Sequence, residues 1–136
     1  MMQKVKMKKH IINTEDAPKP VGPYSQAVKA GNLIFISGQI PIDPKKDALV
    51  VGDFTAETRQ VFDNIEAVCR AASIGLENIV KLNIFLTDLS NFDEVNQAML
   101  QRFSAPFPAR ATIQVSKLPM NVNIDCLLYT SDAADD

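Results

Sequence analysis

The stretch "YSQAVKAGNLIFISGQIPID" (residues 24–43) decides how the rest of the chain is read. Two strand-like runs flank Ala30-Gly31-Asn32, and glycine followed by asparagine suits a tight hairpin because both tolerate left-handed backbone. The first run is mixed, whereas the second, Leu33 to Ile40, is almost continuously apolar. A strand of that composition is expected to be covered on both faces. Gly38, near its end, allows another backbone or a ligand to come close; a bulge or a strand-end turn explains it equally well.

Upstream, "KKHIIN" (8–13) is a short strand, and in "TEDAPKPVGP" (14–23) the prolines impose an extended approach to Tyr24. Downstream, "DFTAETRQVFDNIEAVCRAASIG" (53–75) is the clearest helix. Phe54, Thr58, Val61, Ile65, Val68, Cys69 and Ala72 recur at helical spacing, while Glu57, Gln60, Asp63, Glu66 and Arg70 lie mostly on the other face. Asp53 or Thr55 can cap its start, and Gly75 supplies a left-handed stop. "IVKLNIFLTDL" (79–89) predicts a strand. "SNFDEVNQAMLQRFS" (90–104) predicts a second helix, with Asn91 and Glu94 in capping-box spacing and Phe92, Val95, Met99 and Phe103 inward. "ATIQVSKLP" (111–119) and the run beginning "VNID" (122–125) complete the set.

The order β-β-β-α-β-α-β-β predicts a single α+β domain, with two helices on one face of a mixed sheet. The opposite face must also be covered, because Leu33–Ile40 and Leu82–Leu86 are too apolar to meet water. No segment is left over for that task, so a homo-oligomer with packed sheets is the economical expectation.

Bulk properties exclude several classes. With 136 residues, 46% apolar and 22% charged, the chain supports one ordinary core. A net charge of −2 gives no overall pull toward nucleic acid. No apolar run is long enough to span a membrane. Lys4, Lys6, Lys8 and Lys9 precede no apolar signal region and read as a solvated terminus. His10 is the only histidine, which argues against catalytic zinc and against Ser-His-Asp chemistry. Glycine-rich phosphate cradles are absent. Cys69 and Cys126 form no CxxC pair, and Cys69 reads as a small buried hydrophobe.

Among the polar residues, Arg110 follows "PFP" and immediately precedes the strand expected over 111–119, so its guanidinium is presented in a defined direction. Its planar fork matches a carboxylate bidentately. Asp125 ends "VNID", and antiparallel neighbours would bring it to the same end of the sheet as Arg110. That pairing is either a salt bridge or a proton-moving carboxylate beside a substrate-anchoring cation. Tyr24 lines either a pocket or the core, and Asn96 lies on the second helix.

"GPYSQAV", "IFISGQIP", "DLSNFDEVN" and "FPARATIQVSKLP" stand in the order and approximate spacing of the Rid family, closest to its RidA subgroup. These enamine/imine deaminases were once called the L-PSP or translation-inhibitor family. The resemblance covers about residues 7–125. It implies a chorismate-mutase-like fold, a cytoplasmic homotrimer with clefts between subunits, and hydrolysis of 2-imino acids to 2-keto acids and ammonia without a cofactor or metal. It further implies that Arg110 binds the substrate carboxylate and that the backbone at Thr112 adds a donor. Gly38 approaches the reacting centre, Tyr24 and Ser37 line the cleft, and Asn96 forms its wall. The family's acid, usually glutamate, falls at position 125, where this chain has aspartate.

The ending "CLLYTSDAADD" (126–136) departs from the family pattern. A transposase adapter used in sequencing libraries, translated from its second base, gives the residues found from Cys126 to Asp135. The expectation is therefore adapter read-through over 126–136, a hybrid codon at Asp125, and a final strand truncated beyond Ile124. Residues 1–6 are likewise expected to be extra. Two further readings stand beside deaminase: a non-enzymatic binder of small carboxylates, and an endoribonuclease.

Overall fold

The computed structural model describes residues 8–132; the lysines at 4 and 6, the N-terminal residues 1–6 expected to be extra, and the tail beyond 132 lie outside them. In chain order the elements are β1 (Lys9–Ile12), β2 (Ala27–Ala30), β3 (Leu33–Gln39), β4 (Ile42–Asp43), β5 (Ala48–Leu49), α1 (Phe54–Ala71), β6 (Ile79–Leu86), α2 (Phe92–Arg102), β7 (Ala109–Gln114) and β8 (Ile124–Ser131). Six strands form one sheet in the order β1-β2-β3-β8-β6-β7, antiparallel except for the parallel pair β6–β7. The α+β architecture is as expected, with one addition: β4 and β5 form a small separate ribbon.

The hairpin closes on Gly31-Asn32, with Ala30 opposite Leu33 and Gly31 at φ 61°. Helix α1 packs its stripe on β3 and β8, and Val61, Ile65, Val68 and Cys69 are fully buried. Phe62 is equally buried and meets Phe103 edge-on at 5.8 Å between ring centroids, which joins the two helices. Arg102 adds a second tie, donating to Asp63 at 2.6 Å and to Glu66 at 2.7 Å.

Helix ends differ in detail from the sequence expectation. Asp53 caps α1 by accepting from the Thr55 N–H, but the left-handed residue after its end is Ser73 (φ 62°), not Gly75. Asn91 makes no side-chain cap on α2; Asp88 instead accepts from the Ser90 N–H and caps the short 3₁₀ turn before it. Phe92 turns outward, and Glu57, expected on the polar face of α1, is 3% exposed.

Beyond Ile124, where truncation of the native strand is the expectation, the residues of the ending continue β8 to Ser131 and fill the centre of the sheet between β3 and β6. Ile124, Cys126, Leu128 and Thr130 alternate into the core with essentially no exposure, and Thr130 satisfies its hydroxyl on the Asn78 carbonyl. Alternation of small and apolar residues is what a half-buried strand requires, whatever the origin of the codons. Burial pushes the Cys69 thiol up to about 12 and the Cys126 thiol higher still, so both are held neutral.

The second face of β3 is not covered within the described residues. Leu33 and Phe35 remain 44% and 41% exposed, and with half-buried Leu127 and Tyr129 they form an apolar surface opposite the helices. Phe35 and Tyr129 meet edge-on at 5.5 Å. No helix among the described residues is long and apolar enough to cross a membrane.

Candidate active site

Buried Gln26 builds the approach to the first half of the site. Its amide donates to the Thr14, Ala17 and Pro18 carbonyls and its oxygen accepts from the Thr14 N–H, which pins the extended segment before Tyr24. At the end of β3 the register against β8 slips between Ile36 and Gln39, so Ser37 and Gly38 bulge out of the ladder. Ser37 finds other partners: its N–H donates to the Gln26 carbonyl and its hydroxyl donates to the Ser25 carbonyl at 2.6 Å.

The bulge makes room for Asp125. A methyl group on Gly38 would sit 2.7 Å from one Asp125 carboxylate oxygen and 3.1 Å from the other. Gly38→Ala is therefore expected to displace the carboxylate while the fold persists. Catalytic turnover should fall by ~10-fold or more with little change in Tm, a split that kinetics and a thermal melt on one preparation would show. One Asp125 oxygen is buried without a hydrogen-bond partner among the described residues. Burial pushes its carboxyl up to about 6, against the lowering effect of the Cys126 N–H. Such a group exchanges a proton near neutrality, as a general acid or base must. Tyr24, Ser37, Gly38 and Asp125 border one cavity of about 690 Å³, walled by Phe35, Leu127 and Tyr129.

Arg110 lies elsewhere. It stands inside β7 rather than before it, beside buried Leu82 of the parallel strand β6, and reaches the helix-covered face. One guanidinium nitrogen donates to the Asn96 side-chain oxygen at 2.6 Å, and the plane lies over the Phe92 ring, 5.0 Å from its centroid. That contact explains why Phe92 faces outward. Arg110, Asn96, Met99, Leu100, Phe107 and Pro108 line a second cavity of about 350 Å³. Among the described residues no carboxylate lies within ion-pair distance of Arg110. Thr112, opposite Ile84 two positions further along β7, has a buried hydroxyl without a partner among the described residues.

The seven sequence-selected residues thus form two groups. Tyr24, Ser37, Gly38 and Asp125 come together, and Arg110 and Asn96 come together with Thr112 on the same strand face. The salt bridge between Arg110 and Asp125 is not formed. Strand β6 separates β7 from β8, and the two side chains leave opposite faces of the sheet.

Comparison with known proteins agrees with this architecture. The family described as Endoribonuclease L-PSP matches residues 14–129. A RutC family protein of Pyrococcus horikoshii is 48% identical over 86% of this chain and 93% of its own length. A 2-iminobutanoate/2-iminopropanoate deaminase of Dermatophagoides farinae is 41% identical over 86% of this chain and 91% of its own. The crystal structure of RidA from an Antarctic Psychrobacter superposes with a TM-score of 0.87 at 43% identity, covering 90% of this chain and 98% of that one.

Proposed function

This chain belongs to the Endoribonuclease L-PSP family, and we propose that it is a cofactor-independent enamine/imine deaminase whose sites form between the subunits of a cytoplasmic homotrimer. The division of the site carries the reading. Asp125 faces the uncovered apolar side of the sheet, and Arg110 lies on the other side without a carboxylate partner among the described residues. Packing the uncovered face against a second copy buries Leu33, Phe35, Leu127 and Tyr129 and sets an Asp125 half beside an Arg110 half from a neighbour.

In that cleft Arg110 grips the carboxylate of 2-aminoacrylate or a related 2-imino acid, with the Thr112 backbone as a further donor. The enamine gains a proton at C3, loses one from nitrogen and becomes the imine. Water then adds at C2: its oxygen bonds to carbon while one of its protons passes through the Asp125 carboxylate to nitrogen. The carbinolamine hydroxyl proton follows by the same carboxylate, so the C–N bond breaks as the C=O bond forms. The products are a 2-keto acid and ammonia. Tyr24, Ser37 and the Gly38 backbone hold the reacting carbon against that water. Most of the acceleration comes from proximity, with proton transfer adding ~10²-fold.

The test generates 2-aminoacrylate in place and follows pyruvate release. Wild-type chain should exceed both the uncatalysed rate and the Arg110→Ala variant. If it equals Arg110→Ala yet still binds 2-ketobutyrate, the chain is a carboxylate binder rather than an enzyme. RNA cleavage without keto-acid release would restore the endoribonuclease reading. Sedimentation equilibrium should give three times the chain mass.

A further inference from the structure

Glu57 is a carboxylate with 3% exposure on α1, and the deaminase scheme above does not use it. Its partner is Asn123, whose amide nitrogen donates to both carboxylate oxygens at 3.2 and 3.1 Å. The same Asn123 amide oxygen accepts from the Thr87 hydroxyl at 3.2 Å, and the Asn123 carbonyl accepts from the Thr87 N–H at 3.2 Å. Asn123 therefore ties the entry of β8 to α1 on one side and to the end of β6 on the other.

What precedes this tie is strained. Met120 and Asn121 are consecutive left-handed residues (φ 58° and 57°) in the turn Pro119–Asn121, which Asn121 N–H to Leu118 O and Val122 N–H to Pro119 O hold together. L side chains rarely adopt this conformation, and two in succession are rarer still. Relaxation of that turn would pass directly into the chain leading to Asp125 unless something held it. Val122 (4% exposed) and Ile124 (0%) fix the apolar side of the entry, and the Asn123 bonds fix its polar side.

We infer that Glu57 is a positioning residue, acting through Asn123 and Thr87 to hold the start of β8 so that the Asp125 carboxylate stays in the gap over Gly38. The catalytic part of this inference rests on the deaminase reading; the structural part does not.

The polarity of the clamp can be inverted, which supplies the test. Asn123→Asp puts two carboxylates face to face and should break the Glu57 contact. Adding Glu57→Gln restores an amide-to-carboxylate bond in reverse, and the carboxylate introduced at position 123 still accepts from Thr87 with its other oxygen. The single variant should lose ~10-fold in kcat with KM within about twofold, and the double variant should recover to within about threefold of wild type. In parallel, hydrogen exchange of the Asp125 and Cys126 amides should speed up in the single variant and slow again in the double. A purely structural clamp would move Tm alone. Unchanged kcat and unchanged exchange at those two amides in Asn123→Asp would overturn the inference. If wild type releases no keto acid, the deaminase reading fails, and the two amides still decide whether the clamp holds Asp125.

Discussion

Replacing Arg110 with alanine is expected to lower kcat/KM for 2-aminoacrylate by about 10²- to 10³-fold, and replacing it with lysine to recover only a minor part. Among the described residues Arg110 has no carboxylate to hold, and one of its nitrogens is already aimed by Asn96 while its plane rests on Phe92. The guanidinium is therefore pre-set to receive a flat, doubly accepting anion. Losing one partner of a desolvated, hydrogen-bonded charge pair costs roughly 2–5 kcal/mol, which brackets that range of rate. Lysine restores the charge but not the fork, so the substrate can pivot about a single point and the electrophilic carbon leaves its place beside the water. Steady-state kinetics should show KM rising in both variants. Loss of kcat alone, with KM unchanged, would contradict a role in gripping the carboxylate.

Position 125 should respond in the opposite direction. Asp125→Glu is expected to raise kcat by up to ~10²-fold, because one methylene advances the carboxylate by about the distance at which catalytic alignment is won or lost. The Asp125 side chain rests against the Gly38 backbone, where a longer one would project past the bulge into the cavity. Asp125→Asn should lower turnover sharply, and the residual rate should lack the acid limb of the pH profile. With the carboxyl raised to about 6, the wild-type rate should fall as pH drops through that value, since the proton-accepting form disappears. Stability carries the reverse sign. The folded state holds this proton more tightly than the unfolded state does, so stability falls as pH rises from about 4 to about 6 and is then flat. Asparagine removes that penalty, and thermal melts at pH 7 should show the variant more stable by an amount on the order of 3 kcal/mol. A variant less stable than wild type at pH 7 would show that the carboxylate is better paired than its burial implies.

Much of the fold is legible in residue spacing, and the exceptions have identifiable causes. The α1 stripe is readable because Val61, Ile65, Val68 and Cys69 recur at helical spacing and are all buried. Phe62 escapes because the buried stripe is one residue wider than that spacing implies. Glu57 escapes because a carboxylate is ordinarily solvent-facing, and Asn123, distant in sequence, makes its burial tolerable. The seven candidate residues can be named from short motifs, yet their division into two groups is not readable there. It depends on β6 lying between β7 and β8, and strand order is set by long-range pairing that local pattern does not encode. The last strand is a different case. From Cys126 on the residues leave the family pattern, yet Cys126, Leu128 and Thr130 alternate into the core as the sheet requires.

That strand has a consequence during synthesis. β8 is made after every other described strand, yet it occupies the interior of the sheet, pairing with β3 on one side and β6 on the other. Until it leaves the ribosome, the β1–β2–β3 meander and the β6–β7 pair are separate pieces, each with an open hydrogen-bonding edge and an unburied apolar face. Such a chain cannot mature stepwise from its N-terminus, and it stays adhesive through most of its translation. Nascent chains arrested just short of Cys126 should be cleaved rapidly by a mild protease, and those arrested far enough beyond Ser131 to clear the exit tunnel should resist it. Protection gained before β8 emerges would mean that the two pieces had found another way to close.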